Sequence, residues 1–244
     1  MKVAICLKGA VSKKGGADER FYHQNDLYRC GEYIDYIAVR DSIFKHIVDA
    51  NPKHEFDFFL HGWNLDLEKD LVRIYKPKKY HFEDNNLYST EILSMITSAK
   101  DFGGVSGSLS LKKSIQLKEE YEENEHYDMV IIYRYDVLIW KNINLDLYDV
   151  QNSMYVNSWN GSCRGDFHFV MSNNVSKEFK FLYDSVVAHK NVHQFHHWIH
   201  NYIVNIMKWT LKEDLIKAGV DQEHVRVISA RPHLFPNQIS VLRM

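Results

Sequence analysis

The sequence carries no excess of either charge: 30 Lys and Arg stand against 32 Asp and Glu, a formal net charge of −2 over 244 residues. Without a basic field to hold a phosphate backbone, nucleic acid is not an expected partner. Long apolar runs are missing too. Stretches such as 129–132 (MVII) fall far short of the roughly 20 residues that cross a bilayer, so a soluble chain with no transmembrane segment is expected. The apolar opening stops at Leu7 with no small-residue cleavage site behind it, which reads as no signal peptide. Cysteine is scarce. Cys6, Cys30 and Cys163 are odd in number and form no Cys-x-x-Cys pair, so neither a disulfide framework nor a zinc ribbon fits. Incidental thiols in a reducing cytosol are the simpler reading, and the expected localisation is cytoplasmic. The four prolines, at 52, 77, 232 and 236, mark no linker, and residues 1–244 are read as one domain.

Several motifs are absent as well. No G-x-G-x-x-G follows the first apolar segment, and Gly9 and Gly15 are wrongly spaced for a phosphate loop, which disfavours the usual NAD enzymes and P-loop NTPases. No G-x-S-x-G elbow occurs, so an α/β-hydrolase is not expected. His193, His196, His197 and His200 offer two i, i+4 pairs, but no carboxylate completes H-E-x-x-H. Those pairs also fall on different helix faces. A polar helix surface with one or two buried imidazoles accounts for them, and a single ligand contact from His196, His197 or His200 stays open.

What is present is an ordinary globular composition, 45% apolar and 25% charged, in which short β-type runs alternate with helical patterns. That rhythm predicts an α/β fold with a central mixed, mostly parallel sheet flanked by helices. Strands are expected at 2–7 (KVAICL), 56–61 (FDFFLH), 72–75 with 79–82, 128–140 (DMVIIYRYDVLIW), 154–159, 167–172 and 225–228. Helices are expected at 34–50, stopped by Asn51-Pro52, and at about 109–124, 176–189 and 195–208. Residues 101–108 (DFGGVSGS) read as a Gly/Ser-rich loop whose following helix N-terminus, with Lys112 or Lys113, could face an anion; a flexible loop followed by a capped helix with a solvated Lys pair is the simpler reading.

Gly9 ends the first strand, where open α/β sheets bind ligands. Arg134 and Asp136 are two apart in the most apolar strand, so they are expected to project together from its end, at the ligand-binding edge. Asp166 lies in a turn-rich connection, 160–166 (NGSCRGD), between two strands. Aromatic residues reach 14%, with 15 Tyr and 5 Trp, which fits either a sugar-stacking cleft or core packing.

At 127–140 (YDMVIIYRYDVLIW) the sequence resembles the GT-A type glycosyltransferases of chloroviruses, the large algal viruses, and related surface-polysaccharide transferases. The first strand running into Gly9, 56–64 (FDFFLHGWN), 75–83 (YKPKKYHFE), LKKSIQLKEEYE from Leu111, and Gly165-Asp166 follow in the same order and cover most of the chain. The resemblance implies a single GT-A-like domain that moves a sugar from a UDP- or GDP-linked donor to a glycan or glycoprotein hydroxyl, in the host cytoplasm if the chain is viral. It implies donor contacts at Lys8, Gly9, Lys113, Arg134 and Asp136. It also implies a Mn²⁺ or Mg²⁺ ion at Asp136, the place of the last Asp of the family's D-x-D motif, with His233 as a further metal or phosphate contact. Arg134 stands where the first Asp would be, a departure that leaves two options: a metal with few protein ligands, or metal charge partly replaced by the arginine fork. Asp166 is the expected base of an inverting transfer. A noncatalytic carbohydrate-binding or assembly protein, or a nucleotidyltransferase, are the alternatives on the same fold.

Overall fold

The computed structural model describes residues 1–11, 33–122, 125–139, 142–159, 163–190, 192, 194–209, 211–212 and 225–227. In order these give β1 (Lys2–Lys8), α1 (Tyr36–Ile43), β2 (Glu55–Gly62), α2 (Glu68–Tyr75), β3 (Lys79–Phe82), α3 (Ser89–Met95), α4 (Phe102–Glu122), β4 (Met129–Arg134), β5 (Val137–Ile139), β6 (Met154–Trp159), β7 (Cys163–Ser172), α5 (Asn173–Phe179), α6 (Leu182–His189), α7 (Phe195–Asn201), β8 (Leu211–Lys212) and β9 (Val225–Val227). Helices α1 and α7 each run on into one wider π-type turn, Phe44–Val48 and Tyr202–Ile206.

A seven-stranded sheet has the order β3-β2-β1-β4-β7-β6-β8. Strands β3, β2, β1 and β4 are mutually parallel, and β7 alone runs antiparallel to its neighbours β4 and β6. This is the mixed, mostly parallel α/β sheet expected from the pattern of runs. Because β1 and β4 are central, both faces are buried, and successive residues feed two cores. Val3, Ile5, Leu7, Met129, Ile131 and Tyr133 face α1 and α2, where Val39, Ile43, Leu71 and Tyr75 meet them. Ala4, Cys6, Val130 and Ile132 face the opposite side, covered by Leu109 and Ile115 of α4 and by apolar side chains of α5, α6 and α7. The continuous apolar reading of these strands follows from that two-sided burial. The Cys6 thiol is free and buried, and burial pushes its pKa up to about 12, so it is an inert packing group.

Local chemistry sets the helix ends. The Asp35 carboxylate accepts from Ala38 N at 2.9 Å and caps α1, and Ser172 caps α5. Lys76, at φ 48°, closes α2 in a left-handed conformation just before Pro77. Fully buried Lys118 donates to Glu122 Oε2 at 3.1 Å and to Asn173, tying α4 to α5.

Three expectations are corrected. Residues 72–75 belong to α2 and not to a strand, because the buried stripe is Leu71 and Tyr75, four apart, while the V-R-I-Y alternation only mimics a strand period. Residues 102–108 are not a loop but the first two turns of α4. A Cβ on Gly104 would stand 2.3 Å from the Phe195 ring, so smallness there serves close packing against α7. The Ser108 and Ser114 hydroxyls donate back to Val105 O and Leu111 O within the helix. Lys112 and Lys113 consequently lie in the helix middle, well beyond the reach of its N-terminal dipole. Finally, 128–140 is not one strand. Tyr135 and Asp136 form a turn, after which β5 leaves the main sheet and pairs with β9. No described helix is long and apolar enough to cross a membrane.

Candidate functional site

The strand order reverses between β1 and β4, since β1 continues to β2 on one side while β4 continues to β7 on the other. In open α/β sheets the crevice at the carboxyl ends of such a strand pair receives the ligand. The last register pair of β1 with β4 is Lys8 with Arg134, so two cationic residues stand side by side at that edge. Lys8 is only 2% exposed and the Arg134 side chain 25%. Partial desolvation strengthens their pull on an anion.

Arg134 grips Asp136 in a two-point fork, Nε to Oδ1 at 2.7 Å and Nη2 to Oδ2 at 2.6 Å. The two residues do project together, as expected, but from a strand end and the turn after it, not from one strand face. Asp136 is 3% exposed while the Arg134 side chain reaches the surface, so this is a half-buried charge pair of the bidentate kind.

Gly9 follows Lys8 with φ +93°, a value a side chain rarely adopts. Its N–H donates to Ser110 Oγ at 2.7 Å, and its carbonyl accepts from Trp63 N at 3.1 Å. Gly9 therefore supplies the turn, while its own backbone groups are engaged within the protein. Val11 N is fixed in the same way by Asn64 Oδ1 at 2.7 Å.

Behind this turn lies a group of residues that sequence reasoning missed. His61, at the end of β2, is fully buried. Its Nδ1 is 2.7 Å from Ser110 Oγ and its Nε2 3.0 Å from Glu83 Oε1. Burial drives the imidazole pKa down to about 4, against the raising influence of Glu83, so the ring is neutral near pH 7. A carboxylate only accepts, which assigns the ring proton to Nε2 and makes Nδ1 the acceptor of the Ser110 hydroxyl. A continuous chain results, from Gly9 N–H through Ser110 and His61 to Glu83.

Glu83 is the anchor of that chain. Burial works to raise its pKa, but hydrogen bonds from Lys113, Tyr88 and His61 outweigh it and bring the carboxyl down to about 2. Tyr88 donates to Glu83 Oε2 at 2.9 Å, and Lys113 Nζ donates to Glu83 and, at 2.6 Å, to Tyr88 Oη. Lys113 is thus joined to the Gly9 turn through Glu83, His61 and Ser110. The one cue in the sequence is a polar residue near the end of a strand, as His61 is in FDFFLH; its partners arrive from the residue after β3 and from α4, which no local pattern reveals.

Asp166 lies within β7 and not in a loop, because the β6–β7 ladder resumes at Ser158 with Arg164 and Trp159 with Cys163 after a bulge. It stands two residues before His168, the register partner of Tyr133, which sets its backbone at the same carboxyl edge as Arg134. Its side chain, like the whole of His233, lies outside the described residues. His168 itself is buried, and burial lowers its pKa to about 4.

Lys8, Gly9, Arg134 and Asp136 are therefore brought together, with Lys113 linked from behind. A divalent ion such as Mn²⁺ or Mg²⁺ asks for several oxygen ligands. Among the described residues no three of His, Cys, Asp and Glu come together to hold one, and both Asp136 oxygens already accept from Arg134. The described residues do not fit a protein-held metal. No protein-family model matches this chain, and no curated protein matches it.

Proposed function

We propose that this chain is a GT-A-like glycosyltransferase, which binds a UDP- or GDP-linked sugar at the carboxyl ends of β1 and β4 and moves the sugar to a hydroxyl of a glycan or glycoprotein. The observation that carries the reading is the pairing of Lys8 with Arg134 at the strand-order reversal, beside a turn that Ser110, Trp63 and Asn64 hold in place. Two cations at that edge suit a diphosphate, and the neighbouring positive-φ turn lets the chain pass close to it.

In the proposed transfer the acceptor oxygen forms a bond to the anomeric carbon as the bond from that carbon to the diphosphate oxygen breaks. The electron pair of the broken bond goes to the leaving diphosphate, where Arg134 and Lys8 meet the added charge. The acceptor proton goes to a carboxylate base, the role proposed for Asp166, with inversion at the anomeric carbon.

A thermal-shift screen of UDP-, GDP-, dTDP- and CMP-linked sugars, each with and without Mn²⁺, tests the reading, since a ligand that binds only the folded state raises the melting temperature. A shift with one nucleotide class, followed by release of its nucleoside diphosphate and a glycosylated product, is expected. No shift with any donor overturns it.

A further inference from the structure

The fork between Arg134 and Asp136 discriminates between the two ways of neutralising a bound diphosphate. The Asp136 carboxylate keeps lone pairs beyond its two hydrogen bonds to Arg134, 2.7 and 2.6 Å long, but a cation on them would sit beside the guanidinium, whose charge Asp136 already neutralises at a partly buried edge. The described residues supply no further carboxylate or imidazole cluster to compensate. The fork is made through Nε and Nη2 of a group that has five N–H donors. It fixes the plane of the guanidinium and hence the direction of its Nη1 and Nη2 end. A guanidinium held in that way matches two phosphate oxygens, and Lys8, its register partner on β1, adds a second charge beside it.

We infer that Asp136 is a positioning residue for Arg134 and not a metal ligand, and that Arg134 with Lys8 binds the donor diphosphate without a divalent cation. The inference rests on the nucleotide-sugar reading above and adds to it the means of charge neutralisation. In the transfer, the oxygen that leaves the anomeric carbon gains its electron pair against the Arg134 fork end, so the stabilising charge belongs to the protein.

Calorimetric titration of the full chain with UDP and with GDP, first in EDTA and then in excess Mn²⁺, tests this. One of the two nucleotides is expected to bind in EDTA with a Kd within about threefold of its Kd in Mn²⁺. Arg134→Lys, which keeps the charge but cannot fork, should weaken that binding by about tenfold or more in both buffers. Asp136→Asn should weaken it in both buffers alike. The Mn²⁺ electron paramagnetic resonance signal of the ion with nucleotide alone should be unchanged when the protein is added, and that of the ion with protein alone should remain that of the free ion. Binding that appears only with Mn²⁺ overturns the inference and leaves the glycosyltransferase reading standing. Binding in neither buffer overturns both. An Asp136→Asn protein that melts lower yet binds the nucleotide as tightly as before shows a purely structural pair, and that too overturns the positioning role.

Discussion

Ser110 Oγ accepts the Gly9 N–H at 2.7 Å across 101 residues of sequence, so a helix hydroxyl and not the strand itself holds the turn at the carboxyl end of β1. The same hydroxyl, through its proton, engages buried His61. Ser110→Ala should therefore leave a half-buried N–H and a buried imidazole nitrogen unmatched at once. Each such group costs about 1–3 kcal/mol. Urea denaturation should show a loss within or somewhat above that range, and nucleotide binding should weaken in the folded protein because the turn beside Lys8 is no longer fixed. A fully stable variant with unaltered nucleotide affinity would remove Ser110 from the site.

Two buried histidines give the fold a defined acid sensitivity. His61 and His168 are both held neutral by burial, with folded-state values of about 4 against an ordinary 6.5. Between those limits the unfolded chain binds the protons that the folded chain refuses. Stability is thus full above about pH 6.5 and falls as the pH drops towards 4, by about 1.4 kcal/mol per unit for each residue at most. Glu83, held near 2 by its donors, is favoured in its charged form where the histidines are favoured neutral, but it too is deprotonated on folding and loses stability in the same direction, below its unfolded value of about 4.5. Chemical denaturation at pH 7, 5.5 and 4.5 should show this decline, and His168→Gln should flatten part of it. An unchanged slope in that variant would mean that His168 takes up its proton as readily in the native state as in the unfolded one.

How far the sequence carries the structure depends on whether the deciding contact is local. Strands β1, β2 and β4 are legible because both of their faces are buried, which writes continuous apolar runs into residues 3–7, 58–60 and 129–133. Arg134 and Asp136 are legible as a pair because charge that closes so apolar a run marks where the chain leaves the core. The start of α4 is not. Glycine and serine there suit a loop by intrinsic preference, and only the arrival of Phe195 from α7 makes small residues necessary. The turn at Tyr135–Asp136 is hidden because β5 keeps the apolar character of β4 while joining another sheet. His61, Glu83 and Ser110 come from three different elements, 22 and 49 residues apart, and acquire meaning only when the sheet brings those elements to one edge.

The close approach of α4 and α7 can be probed directly. Gly104→Ala would set a Cβ 2.3 Å from the Phe195 ring, where overpacking typically costs about 1–3 kcal/mol. Ala is otherwise the better helix former by about 1 kcal/mol, so a net loss identifies the clash. Phe195→Leu in the same chain should return part of the stability, a coupling measurable by a double-mutant cycle. Additive effects of the two substitutions would place the strain elsewhere.

Asp166 is the residue on which the proposed chemistry turns, and its backbone position allows a sharp expectation. It lies in β7 just past the register pair of Tyr133 with His168, at the edge where Arg134 and Lys8, the proposed diphosphate contacts, stand on other strands. A base acts on the acceptor proton and makes no contact with the leaving group. Asp166→Asn should therefore lower kcat by about 10²–10⁴-fold with little change in donor affinity, whereas Lys8→Met should weaken donor binding itself. The sign of the pH dependence separates the two further. A carboxylate base must be ionised, so the rate of the unaltered protein should fall on the acid side as Asp166 takes up a proton, and that limb should vanish in the Asn variant because an amide has no such proton to gain. If Asp166→Asn turns over normally, the proton goes elsewhere and Asp166 is a strand residue only.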